Sequence, residues 1–128
     1  MKKIIDLVAP SGRGKDEKLI NYIRKTYLKN NKMTNVCFIY GQETDLKGHT
    51  QLTAEEIRKL AFETNNKDTI YFLGSFYFDQ DRKNYLKLME DMCESDIQVF
   101  KTDQIKEHIT DDTEWLEKYC KFITIEEL

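Results

Sequence analysis

Five short apolar runs alternate along this chain with longer amphipathic stretches. The runs are IIDLVA at 4–9, VCFIY at 36–40, TIYFL at 69–73, IQVF at 97–100 and FITI at 122–125. Runs this short, rich in β-branched and aromatic residues, read as buried strands. The stretches between them carry apolar residues at helical spacing. Leu19, Ile20, Ile23 and Tyr27 share one face of a helix expected over 16–29. Thr53-Ala54-Glu55-Glu56 is a capping box that opens a helix carrying Ile57, Leu60 and Ala61. Tyr85, Leu88, Met89, Met92 and Cys93 stripe a helix over 80–94. A helical turn near 103–109 precedes a helix at 112–120 with Trp115, Leu116 and Tyr119 inward.

Strands alternating with helices at this spacing predict an α/β fold. The expected form is three-layered and doubly wound, a mostly parallel Rossmann-like sheet of four to five strands with helices on both faces. One proline, no low-complexity tract and no repeat leave no linker, so residues 1–128 are read as a single domain. In such sheets ligands bind beyond the carboxyl ends of the strands, where the strand order reverses. With the order 2-1-3-4-5, that point falls between strands 1 and 3, and the loop at 10–15 meets the loop at 74–79.

Composition narrows the function classes. The chain is 40% hydrophobic and 34% charged, which is globular rather than disordered. Its net charge of −3 lacks the basic surplus of a dedicated nucleic-acid binder, although a local basic patch is compatible with it. No apolar run approaches the ~20 residues of a membrane span. MKKIIDLVAP is interrupted by Asp6 and has no cleavage motif, so it is read as the first strand of a cytoplasmic protein without a membrane partner. Cys37, Cys93 and Cys120 are too widely spaced for a disulfide framework or a zinc site and are expected in the core. His49 and His108 have no ligand at metal spacing, so neither a metal nor another cofactor is expected. The adjacent pairs Glu55-Glu56, Glu90-Asp91 and Asp111-Asp112 point to different helix faces and suit caps or solvated positions rather than an acid/base dyad.

The chemistry concentrates after the first strand. Ala9-Pro10-Ser11-Gly12-Arg13-Gly14-Lys15-Asp16 sits where a phosphate-binding loop would carry G-x-x-x-x-G-K-[ST]. Glycines free backbone amides to point at phosphate, and the helix N-terminus that follows adds its dipole. Gly14 and Lys15 match the pattern, Ala9 replaces its first glycine, and Asp16 replaces the magnesium-holding hydroxyl. Over residues 9–16 the loop resembles those of guanylate-kinase-like and phage nucleotide kinases, which implies a nucleotide-binding enzyme with a degenerate P-loop. A turn with no ligand accounts for the same residues, since Asp16 and Glu17 suit the helix dipole and can pair with Arg13 and Lys15.

A longer stretch, roughly 3–105, resembles the catalytic domain of serine recombinases, the resolvase and invertase family. Leu7-Val8-Ala9-Pro10-Ser11 occupies the place of that family's nucleophile motif, and KDTIYFLGSFYFDQDRKNYLKLMEDMCESDIQVFKTD follows its order of elements. The resemblance implies a resolvase-like fold, a DNA-associated setting and a bacterial or phage mobile element. It makes Ser11 the only nucleophile candidate. The family's first-strand arginine is Ala9 here, and its phosphate-gripping arginine loop falls on Ser75-Phe76-Tyr77-Phe78-Asp79-Gln80, with Arg82 beyond. A serine attacking a phosphodiester needs such cations, so no residue is assigned as catalytic. The chain also resembles Rossmann-like modules that sense cyclic oligonucleotides, in which Gln42, Glu43 or Thr44 would touch base or ribose.

The expectation is therefore a non-catalytic resolvase-like module binding a phosphate-bearing ligand, a nucleotide or nucleic-acid phosphate, or else a partner, at the carboxyl edge of strands 1 and 3. Ser11, Gly12, Arg13, Gly14 and Lys15 would hold phosphate, with Ser75 and a stacking Tyr77 opposite. The rivals are the degenerate P-loop enzyme, the cyclic-oligonucleotide sensor and a protein-interaction domain, homo-oligomeric or with a protein partner, that uses Phe76 and Phe78.

Overall fold

The computed structural model describes residues 1–28, 35–39, 53–63, 69–73 and 81–128. The alternation resolves into β1 (Ile4–Val8), α1 (Lys15–Ile23), β2 (Asn35–Ile39), α2 (Ala54–Glu63), β3 (Thr69–Leu73), α3 (Arg82–Glu94), β4 (Val99–Asp103), α4 (Thr113–Tyr119) and β5 (Cys120–Ile123). The strands form one five-stranded sheet in the order β2-β3-β4-β1-β5, and every pairing is parallel. The α/β, doubly wound architecture is thus the observed one. Among the described residues no helix is long and apolar enough to cross a membrane.

The order of strands corrects the expected 2-1-3-4-5. β4 lies between β1 and β3, so the ends of strands 1 and 3 are not neighbours. The connection β1–α1–β2 runs to the far edge, and the chain then steps back through β3 and β4 before β5 jumps across β1. Right-handed crossovers running in opposite directions place their helices on opposite faces. The core divides accordingly. Leu19, Ile20 and Ile23 of α1 pack with Leu7, Ile70, Phe72, Phe100 and Ile123 on one face. On the other face, Ile57 of α2, Leu88 of α3 and Leu116 of α4 pack with Ile4, Tyr71, Leu73 and Val99.

The helices match their apolar stripes closely. All five stripe residues of α3 are buried, as are Leu19, Ile20 and Ile23 of α1, whereas Leu60 of α2 is 38% exposed, outside its expected place in the core. The capping box closes as its sequence requires. Thr53 N donates to Glu56 Oε1 at 3.2 Å and Glu56 N donates to Thr53 Oγ1 at 3.1 Å. Asp112 caps α4, its Oδ1 accepting from Glu114 N at 3.1 Å and Trp115 N at 3.2 Å. The helix expected through residue 29 is α-helical only to Ile23 and continues as a π-helical segment over Arg24–Leu28. The ring of Tyr27 on that segment meets Phe100 edge-on at 5.5 Å.

β4 departs most from the sequence reading. IQVF leads into it, but the strand itself extends through Lys101-Thr102-Asp103, which are as buried as any core residue. Three polar residues in succession do not read as a buried strand. Within it Lys101 bonds Asp103 on its own strand and lies directly opposite Asp6 of β1 in the ladder. The last apolar run also shifts. β5 is Cys120–Ile123, so residues 122–123 join the sheet while Ile125–Glu127 form a 3-10 turn.

Phe100 is fully buried under α1. Replacing it with alanine should destabilise the protein by ~3–5 kcal/mol through lost burial and the cavity left behind. Thr53→Ala, which removes only a cap, should cost about 1 kcal/mol. Urea denaturation of the two variants beside the wild type measures both.

Candidate phosphate-binding loop

β1 sends its connection to the α1 face, and its neighbour β4 sends its own to the opposite face. The carboxyl ends of β1 and β4 are therefore the point where the winding reverses and a crevice is expected. The loop from Ala9 to Gly14 leaves β1 there. Ala9 N donates to Asp103 O at 3.0 Å, which extends the β1–β4 ladder to the base of the loop. Gln104 Nε2, just past β4, donates to Ser11 Oγ. Thr102 Oγ1 donates to Asp16 Oδ1 and ties the first turn of α1 to the same strand.

Two glycines shape the loop. Gly12 has φ 83° and Gly14 has φ 65°, both in the left-handed region that an L side chain rarely adopts. Gly14 is the N-cap of α1, and no side chain caps the helix there. The first-turn amides are left facing the loop, which is where an anion binds at a helix N-terminus. A Cβ at either glycine would meet nothing within 4 Å among the described residues.

Of the loop's two cations, Arg13 holds Glu126 of the last 3-10 turn, with Nη2 3.3 Å from Oε1. Its own backbone N–H and then Arg13 lower Glu126 below the ordinary carboxylate range. Both partners are solvated, so this link is weak and exchangeable. Lys15 makes no ion pair among the described residues. Asp16 and Glu17 lie in the same first turn, and the engagement of Asp16 with Thr102 directs its carboxylate toward β4.

Beneath the loop lies a cluster that the sequence reading missed. Asp6, Lys101 and Asp103 are 0%, 1% and 1% exposed. Lys101 Nζ lies 2.9 Å from Asp103 Oδ1. Both oxygens of Asp6 and the second oxygen of Asp103 have no hydrogen-bond partner. Burial first, and then the charge and contact of Asp103, push the Asp6 carboxyl well above its ordinary value, while Lys101 opposes the shift. The available signal was charge in the wrong place: an aspartate inside IIDLV, and a lysine and an aspartate continuing IQVF.

The loop therefore brings together Ser11, Gly12, Arg13, Gly14 and Lys15, as its sequence requires. Ser75 and Tyr77, with Phe76 and Phe78, lie outside the described residues, as do Gln42, Glu43, Thr44 and His49. Cys93 and Cys120 are buried thiols. Burial pushes Cys93 up to about 11 and Cys120 higher still, so both behave as core residues rather than nucleophiles. Among the described residues no three His, Cys, Asp or Glu side chains gather as a metal site. A separate cleft of about 400 Å³ between the starts of α2 and α3 is lined by Thr53, Glu55, Arg58, Asp81, Asn84 and Lys87. Its two cations are held by Asp91, at 2.7 Å from Arg58 and 3.2 Å from Lys87.

Because a Cβ at Gly12 or Gly14 meets no described residue within 4 Å, a methyl group there adds backbone strain. Gly12→Ala and Gly14→Ala should each cost ~1–2 kcal/mol in urea denaturation, the usual cost of a left-handed L residue. A scan of the chain against protein-family models gives no match, and a search of curated proteins gives none either.

Proposed function

We propose that the protein binds a phosphate-bearing ligand, a nucleotide or a nucleic-acid phosphate, at the carboxyl ends of β1 and β4. The observation that carries this reading is the uncapped N-terminus of α1, opened by a left-handed Gly14 at the reversal point of the sheet, with Lys15 unpaired among the described residues. Amides of the first turn and the Ser11 hydroxyl would donate to phosphate oxygens, and Lys15 and Arg13 would supply charge. Arg13 would exchange Glu126 for the ligand. The proposal puts the ligand at strands 1 and 4 and not at strands 1 and 3, since β4 lies between β1 and β3.

The reading is one of binding rather than catalysis. Ser11 accepts a hydrogen bond from an amide, and among the described residues no histidine, lysine or carboxylate hydrogen-bonds it as a base would. The rival enzyme with a degenerate P-loop would need magnesium, and Asp16 stands where the magnesium-holding hydroxyl would be.

Thermal unfolding against a ligand panel tests the proposal. The panel holds ATP and GTP with and without magnesium, cyclic nucleotides, cyclic oligoadenylates, and short single- and double-stranded DNA. A ligand at 100 times its Kd should add ~2.7 kcal/mol, a shift of several degrees. The shift should persist without magnesium and vanish in Arg13→Ala/Lys15→Ala. A shift that requires magnesium favours the enzyme. No shift with any member, or one that the double variant retains, overturns the reading.

A further inference from the structure

The buried cluster under the loop is out of balance as it stands. Lys101 is one cation for two carboxylates, and three buried carboxylate oxygens have no donor among the described residues. A buried ionised carboxylate without a hydrogen bond is among the most costly groups a fold can hold. One proton removes the imbalance. It turns Asp6 from an acceptor with nothing to accept into a donor, gives Asp103 a second partner, and brings the cluster to net zero.

We propose that Asp6 is built into the sheet as the neutral acid, donating its proton to the carboxylate of Asp103, and that this proton is a latch closing the β1–β4 seam beneath the loop. Loss of the proton to solvent would leave two carboxylates repelling each other across one ladder, with Lys101 able to neutralise only one. The seam would then loosen at its carboxyl end, where Ala9 N meets Asp103 O.

Among the described residues the elements packed on this face supply no competing charge. From β4 come Lys101 and Asp103, and from β5 comes the Cys120 thiol, which burial and then Asp6 push up. β3 contributes Tyr71 to the same face, and α2 contributes Ile57 and Ala61. α3 contributes Cys93 and Tyr85. The hydroxyl of Tyr85 is held up by burial and then by Asp81 and Glu56, not by Asp6. α4 contributes Tyr119, whose hydroxyl donates to Glu94 Oε1 at 3.0 Å. Lys101 is thus the only cation among these groups.

The sign of the pH effect follows. A carboxyl that is neutral in the folded state binds a proton that the unfolded chain has already released above about its ordinary value of 3.8. Stability from this group is therefore full at low pH and falls as pH rises through the folded-state titration. Between the unfolded-state titration and the folded-state one, the unfolding constant of the wild type relative to Asp6→Asn should rise up to about tenfold per pH unit, one proton's worth.

Two measurements on the whole chain, neither involving a phosphate-bearing ligand, decide the matter. The first follows the Asp6 side-chain carboxyl carbon by NMR across pH in the wild type, alongside denaturation of wild type and Asp6→Asn. Expected is a neutral Asp6 at pH values where the exposed aspartates have ionised, with the tenfold slope in the paired unfolding constants. An Asp6 that ionises with the surface aspartates overturns the proposal, even if Asp6→Asn fails to fold. So does a wild type that magnesium or potassium stabilises and Asp6→Asn does not, since a cation would then stand where the proton is placed. The second is hydrogen exchange. With rising pH the Ala9 amide on the β1–β4 seam should lose protection faster than the Tyr71 amide, which donates to Gln98 O at 3.0 Å. Equal loss at both overturns the latch.

Discussion

Asp6 and Lys101 face each other across the β1–β4 ladder, with Asp103 two residues further along β4 and all three shut away from water. Most of the architecture turns on this cluster. A charged residue in a central strand is tolerated only where a neighbour completes its hydrogen bonds and charge. The pairing of β1 with β4 meets that condition only in part: Lys101, opposite Asp6 in the ladder, bonds Asp103 on its own strand, and Asp6 is left to the proton proposed above. A slip of one residue in this register would turn Asp6 and Lys101 to opposite faces of the sheet. Polar residues here specify the strand neighbours and their register, while the apolar residues around them supply the burial.

The same pairing creates the candidate site. Inserting β4 beside β1 makes these the adjacent strands whose connections leave on opposite faces, the place where a crevice is expected in such sheets. Two hydrogen-bonded links then join the loop region to β4, Gln104 to Ser11 and Thr102 to Asp16, and the backbone bond from Ala9 to Asp103 seats its base. The loop glycines provide backbone shape, but β4 determines where that shape sits. Loop position and cluster protonation are thus parts of one mechanical unit.

Much of the loop was legible in the sequence. A strand followed by Ser11-Gly12-Arg13-Gly14-Lys15 and a helix start is a local pattern, and local patterns set local geometry. The left-handed glycines and the uncapped helix start follow from residues next to one another. What stands opposite the loop was not legible. Its neighbour is the end of β4, about ninety residues away in the chain, and periodicity carries no information about pairing over that span.

By itself, the sequence determined the elements and their inward faces. The buried stripe of α3, the Thr53–Glu56 capping box, the Asp112 cap and β3 depend on spacing, capping chemistry and β-branched or aromatic runs that act within a few residues. Only the tertiary structure decided that β4 lies against β1, that Lys101-Thr102-Asp103 continues the strand, and that the ends of β1 and β4, not of β1 and β3, are neighbours. Each of these depends on which buried polar groups meet across distant strands, Asp6 of β1 beside Lys101 and Asp103 of β4. Hydrophobic patterning is indifferent to that choice, and the cost of an unpartnered buried carboxylate settles it.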